Sequence, residues 1–144
     1  MATRKELRAK ITEARALTQR AIVEVAGNWE KPAAAGAGED AWAPRQAIQH
    51  AAEAELFFAS LVSKSCGYPE LELQKMEFAT PADAAEGCVR VSAKADAIIQ
   101  YVSDDDLKKP ITGERFPGMT VEGLLALTGH HTREHAEQAL AAGR

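Results

Sequence analysis

The chain has 144 residues, a net charge of −4, 46 % hydrophobic and 26 % charged residues. That is the balance of one ordinary globular domain spanning 1–144, and it argues against a nucleic-acid binder, which needs a positive stripe to displace phosphate counterions. No stretch approaches the ~20 apolar residues of a membrane span, and the opening MATRKELRAK carries no apolar leader, so a cytoplasmic chain is expected.

Helical signals dominate. Thr3-Arg4-Lys5-Glu6 has the pattern of a capping box, and Leu7, Ile11, Ala14, Leu17, Ala21, Ile22 and Val25 follow at helical spacing up to Gly27-Asn28. A Pro/Gly/Ala linker over 29–44 leads to Pro44, which suits the first turn of a second helix over 43–65. On that helix Ala47, His50, Ala54, Phe57 and Leu61 lie near one face. Cys66-Gly67-Tyr68-Pro69 ends it, and 69–79 reads as an irregular crossover, because no other segment offers a strand to pair with it. Thr80-Pro81-Ala82-Asp83 starts a third helix running to about Val102, with Val89, Ile98, Ile99 and Val102 as apolar positions.

The polar loop 103–119 precedes a last helix from Thr120, carrying Val121, Leu124, Leu125, Leu127, His131 and His135. Four such helices imply an all-α four-helix bundle with longer crossover connections. The acidic Ser103-Asp104-Asp105-Asp106 lacks the spacing of a calcium loop and reads as a helix end and solvated turn. Cys66 and Cys88 show no paired zinc-ligand spacing and are expected to be reduced thiols.

Three of the four histidines fall within "GHHTREHAEQAL" (129–140). His131 and His135 are four apart on one helical face, continuing the stripe of Val121, Leu124 and Thr128. His130 is turned by about 100° from His131 and is placed to pair with Glu134 on the rim. His50 has Ala47, Ala54 and Phe57 as its facial neighbours and needs a partner if buried. Three inward histidines from two helices can satisfy one another by ligating a cation such as Zn²⁺, Ni²⁺, Fe²⁺ or Cu²⁺. A pair of partly exposed histidines near a frayed helix end is the blander alternative.

"AWAPRQAIQHAAEAE" (41–55) and "TVEGLLALTGHHTREHAEQAL" (120–140) resemble the second-helix and last-helix motifs of the DinB/YfiT-like superfamily, and the likeness spans essentially the whole chain. The resemblance implies a four-helix bundle, often a homodimer, and a divalent metal (Zn, Ni or Fe) held by His50, His131 and His135. It also implies a metal-dependent S-transferase or hydrolase acting on a small molecule, in some relatives with a low-molecular-weight thiol. No nucleic-acid or membrane partner is implied. A non-catalytic module stapled by its metal is the rival; a fourth protein ligand distinguishes a staple from an open catalytic ion.

Candidate general bases are Glu53, Glu55 and Glu134, each with a plainer reading as a solvated carboxylate. Glu134 and Gln138 are alternatively groups that orient a ligand imidazole. Trp29 and Trp42 are expected to cover the bundle end, and Met76, Phe78 and Phe116 to pack loops on the core. Lys108, Lys109 and Arg115 are candidate anion-binding groups for a thiol partner, with ordinary solvated charges as the plainer reading.

Overall fold

The structure, a computed structural model, describes residues 2–34 and 36–144; Met1 and Ala35, the latter inside the predicted linker, lie outside the described residues. Helix α1 (Arg4–Glu24) starts where the Thr3 hydroxyl accepts from the Glu6 amide at 3.2 Å. Helix α2 (Pro44–Ser65) cannot be capped by the Ala43 side chain, so Gln46 Oε1 accepts from the Ala43 amide instead, at 3.0 Å. Helix α3 (Pro81–Ile99) has Pro81 in its first turn and the Thr80 hydroxyl accepting from Asp83, and Thr120 caps helix α4 (Val121–Gly143) in the same way through Gly123. Each cap satisfies an amide that the helix itself leaves unpaired.

Helix α4 packs on α1 and α2, and α2 packs on α3, whereas α1 and α3 barely meet. The result is an all-α four-helix bundle with the circuit α1–α4–α2–α3 and one loosely closed side. Leu7, Ile11, Val62, Ile99 and Leu124 build one half of the core, and Ile22, Trp29, Ile48, Leu56 and Val91 the other.

The long connections are pinned by specific polar contacts. The crossover between α2 and α3 is irregular, as expected: among the described residues the backbone forms only an isolated bridge, Pro110 to Thr120, well outside it. The Phe78 amide donates to Gln49 Oε1 and its carbonyl accepts from Trp29 Nε1, both at 2.8 Å. Its ring lies on Gly87 of α3, so closely that a Cβ there would sit 2.2 Å from Phe78 Cε1. In the loop before α4, Ser103 and Asp106 exchange side-chain and backbone hydrogen bonds, and Lys109 pairs with Asp106 at 2.7 Å. These contacts pull the Asp106 carboxyl below the usual carboxylate range, Lys109 first. The turn is therefore a built structure, with Asp106 tucked in rather than solvated.

The expected face of α2 is present as a half-buried shoulder, and only Val89 of α3 departs from expectation. The fully buried stripe of α2 is Ile48, Ala51, Leu56, Ala59 and Val62, while His50, Ala54, Phe57 and Leu61 form its half-buried shoulder. Val89 is 61 % exposed, because α1 stands off from α3 and leaves a gap that Val89 lines. Among the described residues, no helix is long and apolar enough to cross a membrane.

Candidate metal centre

The shoulder of α2 places His50 opposite His131 and His135 of α4. The three ring centroids are 5.1, 4.7 and 4.4 Å apart, and one nitrogen from each ring lies within 4.8 Å of the others. All three side chains are half-buried, and no fourth histidine, cysteine or carboxylate joins the group among the described residues. His131 Nε2 and His135 Nε2 are 3.2 Å apart. Two imidazole nitrogens on one zinc at 2.0–2.1 Å and a tetrahedral angle would be separated by about 3.3 Å, so the spacing fits a shared ion.

The tautomer of His135 follows from its neighbour. The Gln138 amide nitrogen donates to the Glu39 carbonyl, which leaves Gln138 Oε1 to accept from His135 Nδ1–H at 2.7 Å. With the proton held on Nδ1, His135 Nε2 presents a lone pair to the centre. His131 Nδ1 is buried with no hydrogen-bond partner among the described residues, which leaves Nε2 as the ring's polar outlet, and it faces His135.

The electrostatics favour neutral rings. Burial pushes His131 down to about 4, helped by His135, His50 and His130. Burial likewise lowers His50, with His135 adding to it, while Glu39 and Glu53 pull the other way. Deprotonated imidazole is the ligating form. Two carboxylates near His50 add a field that welcomes a cation.

Aromatic rings wall the centre. Trp42 stands 5.2 Å from His50 and 6.1 Å from His135, centroid to centroid, and Phe58 meets His131 edge-on at 5.5 Å. Apolar walls of this kind limit water and fix ring orientation.

The family model of the DinB superfamily matches residues 3–139. The chain belongs to the DinB superfamily. No match was found among curated proteins or among solved structures.

Within this DinB-superfamily chain, the sequence-predicted residues separate by location. His50, His131 and His135 come together, and Gln138 orients a ring as expected. His130 lies outside the group, exposed, and pairs with the exposed Glu134 at 3.2 Å. Glu53 accepts from the Met76 amide at 3.1 Å and so anchors the crossover. Glu55 is not solvated: it is 5 % exposed and bound to Arg15 on the opposite side of α2. Lys109 is spent on Asp106, and Arg115 stacks over Phe57 at 5.3 Å.

Trp29 covers the core as expected, but Trp42 is a wall of the centre, and the linker residue Glu39 reaches it through its carbonyl and its charge. The Trp-x-Pro entry to α2 was the available signal for Trp42. Nothing in the local pattern around Glu39 distinguishes it from linker.

Proposed function

We propose that this chain binds one divalent cation through His50, His131 and His135 and acts as a metal-dependent transferase or hydrolase on a small molecule. The observation that carries the reading is the convergence of three imidazole nitrogens with no fourth protein ligand among the described residues, the donor count of an open rather than a closed site. Imidazole donors suit Zn²⁺, Ni²⁺ or Fe²⁺. A cation bound there supplies Lewis acidity that lowers the pKa of a thiol or of water, so that either becomes a nucleophile near neutral pH.

The surrounding residues have distinct duties. Gln138 holds the proton on His135 Nδ1 and keeps Nε2 free. Phe58 and Trp42 set ring orientation and exclude bulk water from two sides. Glu39 and Glu53 place negative charge beside His50, which stabilises positive charge in the centre. A low-molecular-weight thiol is the nucleophile for the transferase reading, and water for the hydrolase reading.

The test is elemental mass spectrometry on untagged protein, with His50→Ala and His135→Ala alongside. About one ion per chain, lost in both variants, is the expected result, and thiol-transfer and hydrolase screens follow from it. No ion after dialysis against zinc and nickel would overturn the proposal.

A further inference from the structure

A cavity lies apart from the metal centre. It encloses about 400 Å³ on the loosely closed side of the bundle, and none of the histidines lines it. Arg15 and Ala16 of α1 form one wall, Val91 and Asp96 of α3 the other, and Ala52 and Glu55 of α2 the floor. The space exists because α1 and α3 barely touch and because most of the facing positions are small, alanine, serine, threonine, cysteine or valine. Its volume is that of a small-molecule site, and its lining has the usual form, apolar walls with a few convergent polar groups.

The polar groups decide what it would take. Arg15 Nε and Nη2 each donate to a Glu55 carboxylate oxygen at 3.3 Å, and Nη1 donates to both Asp96 oxygens at 2.9 and 3.0 Å. The guanidinium is thus committed to two carboxylates and has little left to offer an anion. One cation against two carboxylates leaves the lining with a formal charge of −1. Glu55 is deeply buried, but Asp96 is half exposed at the mouth and keeps free lone pairs. A carboxylate at the rim of an apolar chamber matches a molecule with one positive end and an apolar body.

We infer that the cavity between α1 and α3 is a binding site for a small organic cation, an ammonium group on an alkyl or aryl body, seated with the charge at Asp96 and the body over Ala52 and Val91. This site is separate from the metal centre and does not depend on it. The two nevertheless share helices: Ala51 and Ala52 follow His50 on α2, and Thr132 follows His131 on α4, and all three line the cavity.

The experiment is a titration of the ¹⁵N-labelled full chain with 2-phenylethylammonium, 2-phenylethanol and 3-phenylpropanoate, followed by amide shifts. The expected result is saturable shifts centred on Ala52, Val91 and Thr132, with the ammonium bound at least about fivefold more tightly than the alcohol. Asp96→Asn, on a half-exposed side chain, is expected to bring the ammonium to within about twofold of the alcohol, because little of the remaining charge is uncompensated. Ala16→Phe, on the exposed rim, is expected to abolish binding of all three. Absence of saturable shifts would overturn the inference. So would a carboxylate bound as tightly as the ammonium, shifts centred on His50 and His135, an unchanged preference in Asp96→Asn, or undiminished binding in Ala16→Phe.

Discussion

Gln138 and His135, three residues apart on α4, share a 2.7 Å hydrogen bond whose direction is set by a third group, the Glu39 carbonyl. Because Gln138 spends its amide nitrogen on Glu39, it can only accept from His135, and His135 can only offer Nε2 to a metal. Loss of such an orienting partner typically costs ten- to a hundredfold in metal affinity. Gln138→Ala is therefore expected to weaken zinc binding by about 10–100-fold with unchanged helicity, whereas Gln138→Glu retains an acceptor and keeps most of the affinity. Competition against a chromophoric chelator measures both. Equal affinity in Gln138→Ala and the wild type would show that the hydrogen bond does not orient the ring.

The metal-free protein should lose stability on mild acidification through His131. Its folded pKa is pushed down to about 4 from an ordinary 6.5, so between these values the unfolded chain binds more protons. Stability from this group is full above pH 6.5 and is lost as the pH falls toward 4. Glu55, which burial holds above the usual carboxylate range against the pull of Arg15, acts in the opposite sense. The readout is accordingly the difference between wild type and His131→Leu in urea unfolding at pH 7 and pH 5. Wild type should lose on the order of 1 kcal/mol more than the variant; equal losses would contradict the assignment.

The ion pair of Arg15 and Glu55 should show the asymmetry of buried charge. Removing one member strands the other, at a cost of about 3–5 kcal/mol when the survivor is fully desolvated. Arg15 retains Asp96 and stays the better satisfied of the two. Arg15→Met should therefore be the more damaging single change, and Glu55→Leu the milder. Arg15→Met with Glu55→Leu should recover most of the loss, as chemical denaturation of the three variants would show. A double variant as unstable as Arg15→Met alone would refute this.

Gly87→Ala tests the seat of Phe78. A methyl group there would meet a ring carbon at 2.2 Å, and the ring is held by two backbone hydrogen bonds of its own residue. Overpacking of this kind costs about 1–3 kcal/mol, more than the ~1 kcal/mol that alanine gains over glycine inside a helix. A lower thermal midpoint is expected, with partial rescue by Phe78→Leu. A midpoint at or above wild type would mean that the crossover shifts without penalty.

Much of this was legible in the residues. Thr3, Thr80 and Thr120 announce three helix starts, because a hydroxyl before a helix has few other uses, and Pro44 and Pro81 mark first turns. The i, i+4 spacing of His131 and His135 is a local property of α4, and the rejection of His130 follows from the same geometry. What escaped depends on which helices touch. Val89 fits an apolar stripe, yet α1 stands off from it across a cavity; Glu55 looks like any surface carboxylate until Arg15 arrives from α1. The role of Glu39 rests on its backbone carbonyl, which carries no side-chain signature at all.

The placement of Trp42 gives the molecule an internal optical gauge. The chain has two tryptophans; one lies within 5.2 and 6.1 Å of two of the imidazoles, and the other is sealed in the core with its indole N–H on the Phe78 carbonyl. A paramagnetic ion such as Ni²⁺ in the centre would darken the emission of Trp42 and leave Trp29 bright, while Zn²⁺, with its filled d shell, would spare both. Emission from unlabelled protein thereby distinguishes the two ions, with Trp29 as the built-in reference.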